Sequence, residues 1–95
     1  MDIKELRVQI DGIDDGIVGL FCERMLVSGG IAQFKAENGL PVLDEERERQ
    51  KLADVLSKAA PELREYVSAL YSLIFELSRS YQDKCLKEPG AASGE

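Results

Sequence analysis

Residues 3–38, IKELRVQIDGIDDGIVGLFCERMLVSGGIAQFKAEN, decide the fold. Alternating steps of three and four residues pick out Ile3, Leu6, Ile10, Ile13, Ile17, Leu20, Arg24, Val27, Ile31 and Phe34. That spacing is the a/d seam of a long helix packed against other helices. Arg24 alone among these is neither aliphatic nor aromatic. A guanidinium in such a seam must reach solvent or meet a buried anion, because an unpaired buried charge is very costly. Lys35 follows about three turns later, roughly 16 Å along the same side. Two cations where a helix should seal a core point to a pocket for a small anion inside a helical bundle.

The ends of this helix are marked. Gly39 supplies a left-handed C-terminal position and Pro41 prevents continuation, so the helix is expected from about Ile3 to Asn38. Gly29 and Gly30 each cost about 1 kcal/mol relative to Ala in a helix interior. They read as tolerated rather than as sites of close approach. A second helix is expected from Asp44, whose carboxylate can cap free backbone N–H groups, to near Ala60, with Leu52, Val55 and Leu56 on one side. Pro61 suits the first turn of a third helix. That helix carries Leu63, Val67, Leu70, Ile74, Leu77 and Tyr81 as its stripe and fades near Leu86. The expected fold is all-α, with three helices in one domain over residues 1–86. The tail of residues 87–95, with Pro89, Gly90, Ser93 and Gly94, reads as disordered.

A helix of about 35 residues spans roughly 50 Å. A compact domain of this size has a diameter of roughly 32 Å. The first helix therefore projects beyond any globule one copy can build, yet its seam stays apolar to both ends. A second copy of the chain is the simplest cover, so a homodimer is expected.

Composition narrows the function. The 95 residues carry a net charge of −6, no His and 44% hydrophobic residues. Neither nucleic acid nor an acidic membrane surface suits such a chain, and no leader or membrane span is expected. Cys22 and Cys85 lack metal-ligand spacing and read as free thiols in a reducing cytoplasm. An acidic protein that takes an anion must concentrate its cations in one place.

Further polar residues adjoin the apolar stripes. Arg7 follows Leu6, while Ser78 and Gln82, four apart, share a helix face. Arg47 and Glu48 sit in the turn after Asp44. Arg7 and Arg24 are about 25 Å apart along one helix and cannot grip one small molecule from a single chain. Two copies with antiparallel long helices would bring Arg7 of one toward Arg24 of the other.

The run Leu6-Arg7-x-x-Ile10-Asp11-x-Ile13-Asp14-x-x-Ile17-Val18-x-Leu20, then Glu23-Arg24, Ile31-Ala32-x-x-Lys35 and Gly39-Leu40-Pro41-Val42-x-Asp44-x-x-Arg47-Glu48, resembles the all-helical chorismate mutase family. The likeness covers residues 4–86 and includes Ser78 and Gln82. It implies an intertwined homodimer with two sites, each completed by the partner's arginine. It also implies conversion of chorismate to prephenate, a [3,3] rearrangement in phenylalanine and tyrosine biosynthesis, which needs no metal, cofactor or nucleophile. By this resemblance Arg24 and Lys35 of one chain and Arg7 of the other hold the substrate's two carboxylates. Lys35 and Gln82 donate to the ether oxygen, Glu48 accepts from the ring hydroxyl with help from the backbone near Asp44, and Arg47 and Ser78 support the ring and its carboxylate. An amide at Gln82 donates at any ordinary pH, so activity is expected through neutrality. The alternatives are an isochorismate pyruvate lyase on the same fold, or a non-catalytic helical dimerisation module in which Arg24 sets register.

Overall fold

The computed structural model describes residues 2–87, and the expected tail beyond Lys87 lies outside them. Three α-helices, as the periodicity predicts, and a 3₁₀ turn at Pro61, where the third helix is expected to begin, account for nearly all of these residues. Helix α1 spans Ile3–Glu37, α2 spans Glu45–Lys58, and a turn at Pro61–Leu63 leads into α3, Arg64–Lys87. Lys87, assigned from sequence to the tail, is the last residue of α3.

Each boundary has a local cause. Asp2 and Glu5 form a reciprocal capping box at the start of α1, with Asp2 Oδ1 accepting from Glu5 N at 2.9 Å. At its end, Gly39 takes φ 66°. The Leu40 N–H returns to the Lys35 carbonyl at 2.8 Å and the Gly39 N–H to Ala36, a Schellman closure. Asp44 caps α2 by accepting from Arg47 N at 3.0 Å. Further along α2, Asp54 accepts from Lys58 at 3.0 Å and Lys51 at 3.2 Å. These ammonium groups, Lys58 first, hold its carboxyl below the ordinary value of 3.8.

The chain core is small and lies where the last third of α1 crosses α3. Ser28, Gly29 and Ala32 of α1 face Ile74, Phe75, Ser78, Gln82 and Cys85 of α3, all buried. Gly29 is there for close approach, contrary to the sequence reading. A Cβ at this position would stand 3.1 Å from both Cys85 Sγ and a Tyr81 ring carbon. Gly30 has nothing within 4 Å, as tolerance requires.

The buried face of α3 is also rotated from the expected stripe. Of that stripe Leu63, Leu70 and Leu77 are exposed while Ile74 is buried, and the face turned to α1 also carries Ser78 and Gln82. Small α1 residues admit the α3 backbone, and hydrogen bonds satisfy most of the polar groups so enclosed. Helix α2 packs on α3 alone.

Residues 2–20 are exposed throughout, and the seam residues Ile3, Ile10, Ile13, Ile17 and Leu20 are each 58–69% accessible. The molecule measures 54 × 32 × 15 Å. By length and composition α1 is apolar enough to cross a membrane. Its last third packs on α3, and the charged Glu23 and Arg24 lie mid-helix, where charges inside a lipid span are expensive.

Candidate active site

One cavity of about 300 Å³ lies between the C-terminal third of α1, the start of α2 and the middle of α3. Seven of the eight residues singled out from sequence line it: Arg24, Lys35, Asp44, Arg47, Glu48, Ser78 and Gln82. Arg7 does not, because it lies on the uncovered part of α1. Val27, Ile31, Val42 and Phe75 supply apolar wall, and Ser28, Lys51 and Arg79 add polar groups. Five cationic side chains face two carboxylates, a local excess of three positive charges in a chain whose net charge is −6. The cations are concentrated in one place, as anion binding demands.

The side chains hold one another in position. Arg24 is half-buried, and its Nη1 donates to Ser78 Oγ at 3.0 Å while the guanidinium stands 5.9 Å from the Tyr71 ring centroid. Both partners are neutral, so its charge is oriented but not neutralised by them. Tyr71 in turn meets Phe75 edge-on, with ring centroids 5.9 Å apart. Lys35 Nζ donates to the Val42 carbonyl at 2.9 Å, tying the α1–α2 linker to α1 and leaving two further donors. Gln82 Nε2 donates to the Ser28 carbonyl at 3.1 Å, which fixes the amide and leaves its second N–H. Arg79 Nη1 donates to Glu48 Oε2 at 2.5 Å, joining α3 to α2. Ser28 Oγ is buried with no hydrogen-bond partner among the described residues, in the wall beside Gln82.

Sequence reasoning missed Ser28, Lys51 and Arg79. The signal was helical spacing: Ser28 is four after Arg24, Lys51 four after Arg47, and Arg79 three before Gln82. No group of His, Cys, Asp and Glu among the described residues forms a metal cluster.

Fixed cations beside apolar wall can hold a dianion in one conformation, and the residues brought together here are those of the resemblance. The family model for type II chorismate mutase matches residues 6–83. The chain belongs to this family. A bifunctional chorismate mutase/prephenate dehydratase of Buchnera aphidicola is 39% identical over 84 residues, 86% of this chain and 22% of the relative. The corresponding bifunctional protein of Enterobacter agglomerans is 34% identical over 85 residues, 87% and 22% respectively. The chain thus spans less than a quarter of the length of these relatives. A chorismate mutase of Methanocaldococcus jannaschii is 29% identical over 89 residues, 90% of this chain and 89% of that protein. Among solved structures no significant match is found.

Proposed function

We propose that the chain is a cytoplasmic chorismate mutase that converts chorismate to prephenate as an intertwined homodimer, with Arg7 of each copy completing the other's cavity. The observation that carries this reading is the meeting of Arg24, Lys35, Glu48, Ser78 and Gln82 around one cavity. Arg24 grips one substrate carboxylate through its planar fork, held by Ser78 and the Tyr71 face. The partner's Arg7 takes the other carboxylate. Clamping both selects the compact chair-like conformer in which the reacting carbons approach, which is catalysis by proximity and orientation.

As the ether bond breaks, negative charge grows on its oxygen. Lys35 and the second N–H of Gln82 donate there, and donors fixed before the reaction stabilise the transition state more than the ground state. Glu48 Oε1 accepts from the ring hydroxyl, while Arg47 and the N-terminal end of α2 around Asp44 support the ring. No proton changes hands and no covalent intermediate forms, so the chemistry asks for no metal or cofactor.

The exposed seam supports the dimer. Two antiparallel copies cover each other's apolar stripe and bring Arg7 about 25 Å along α1 to the partner's Arg24. The test is loss of chorismate by purified protein, with the product identified by chromatography. Prephenate formed at an enzymatic rate, and abolished in Lys35→Ala, supports the proposal. Turnover of isochorismate alone would transfer it to the lyase, and inertness toward both would leave a binding module.

A further inference from the structure

Glu48 is a carboxylate in a cavity proposed to take a dianion, and its charge opposes that binding unless something offsets it. Arg79 meets that need. Its Nη1 holds Glu48 Oε2 at 2.5 Å and leaves Oε1 to accept a hydroxyl. Both side chains are partly enclosed, with accessibilities of 38% for Arg79 and 27% for Glu48.

The pair is also a partition. Glu48, Arg79 and Phe75 line the main cavity on one side and, on the other, a second hollow of about 380 Å³ that Arg49 and Ser72 share. A glutamate without its tether has open space behind it, with another guanidinium beyond. Helix α2 leans on α3 alone, so this ion pair and the Lys35–Val42 bond are what tie its N-terminal end and linker across the cavity.

We propose that Arg79 is the positioning residue for Glu48: it offsets the carboxylate's charge and keeps Oε1 turned toward the substrate's ring hydroxyl instead of the outer hollow. This rests on the mutase reading of the cavity. It is tested by a double-mutant cycle on chorismate turnover with Arg79→Ala, Glu48→Gln and the pair, plus Arg79→Lys. The expected result is a fall in kcat/KM on the order of tenfold for Arg79→Ala, within the range for residues in contact. In the Glu48→Gln background the same change should cost about twofold or less. Arg79→Lys, which keeps the charge but not the fork, should recover part of the loss.

A purely structural arginine would cost the same in both backgrounds, and that result overturns the proposal. So does an Arg79→Ala enzyme as fast as wild type. A wild-type protein that does not turn over chorismate, or a Glu48→Gln enzyme that keeps full rate, overturns the reading beneath and this inference with it. The cycle therefore tells the two failures apart.

Discussion

Arg24 sits in an apolar seam with two neutral partners, the Ser78 hydroxyl and the Tyr71 ring. On the proposed function its charge is held for a ligand, and the geometry of its fork matters as much as its sign. Arg24→Lys should lower kcat/KM by on the order of tenfold or more, since a point charge cannot make two parallel bonds to a carboxylate. Steady-state kinetics would decide, and an undiminished rate would sink the clamp. Gln82 allows a sharper test. It is buried and faces the Ser28 carbonyl, an acceptor. In Gln82→Glu, only the protonated carboxyl can donate to Ser28 or to the ether oxygen. Burial and the facing carbonyl favour that neutral form while the cavity's cations favour the ionised one; on either balance activity should be greatest at acid pH and fall as the carboxyl ionises. Wild type should show no such decline between pH 5 and 7, and parallel pH profiles for the two would refute the donor role. Arg24, Lys35 and Gln82 were legible in sequence because polar types on an apolar helical spacing stand out. Arg79 and Ser28 were not, because an Arg or Ser beside a stripe is usually just solvated, and only the crossing of α1 over α3 brings them to the cavity.

At the scale of the element, lengths and ends could be read from sequence and faces could not. Asp44, Gly39 and Pro61 act through bonds within a few residues, so their chemistry is visible locally. Which side of α3 meets α1 depends on Ser28, Gly29 and Ala32 being small, a relation across about fifty residues that periodicity does not contain. The stripe Leu63, Val67, Leu70, Ile74, Leu77 and Tyr81 is the natural choice from spacing, yet of it only Ile74 is buried, on the face that bears Ser78 and Gln82. Gly29 marks that crossing. Gly29→Ala gains about 1 kcal/mol of helix propensity, but must displace the buried Cys85 and the Tyr81 ring, and overpacking costs about 1–3 kcal/mol. Thermal melts should show Gly29→Ala less stable than Gly30→Ala, where nothing stands within 4 Å of the new methyl. The reverse order would mean that the crossing is loose. Asp44→Ala, by contrast, removes a cap worth about 1 kcal/mol, and because Arg47 and Glu48 ride on that turn it should lower kcat/KM as well as the melting temperature.

For the whole molecule, α1 sets the longest dimension of 54 Å, and its first eighteen residues are exposed throughout. That stretch contains Gly12, Gly16 and Gly19, poor helix formers that each cost about 1 kcal/mol relative to Ala, with no packing to offset them. Its helicity therefore needs cover, and dilution should lower far-UV helicity and activity together. Subunit mixing tests the dimer and the site at once. Homodimers of Arg7→Ala lack the partner's arginine at both sites, and homodimers of Lys35→Ala lack the lysine at both, so each preparation alone should be nearly inactive. In a heterodimer, the cavity of the Arg7→Ala chain keeps its own Lys35 and receives an intact Arg7 from the other chain. The second cavity of that heterodimer lacks both. Random exchange of equal amounts makes half the dimers mixed, each with one good site of two, so activity should return to about a quarter of wild type in a C2 dimer. Mixing Lys35→Ala with Arg24→Ala supplies the control. Both changes then fall within one chain's own cavity, each heterodimer site keeps one defect, and nothing should be rescued. Recovery in the first mixture and silence in the second would place Arg7 in the partner's cavity. Equal silence in both, with subunit exchange verified, would mean that Arg7 serves only its own chain.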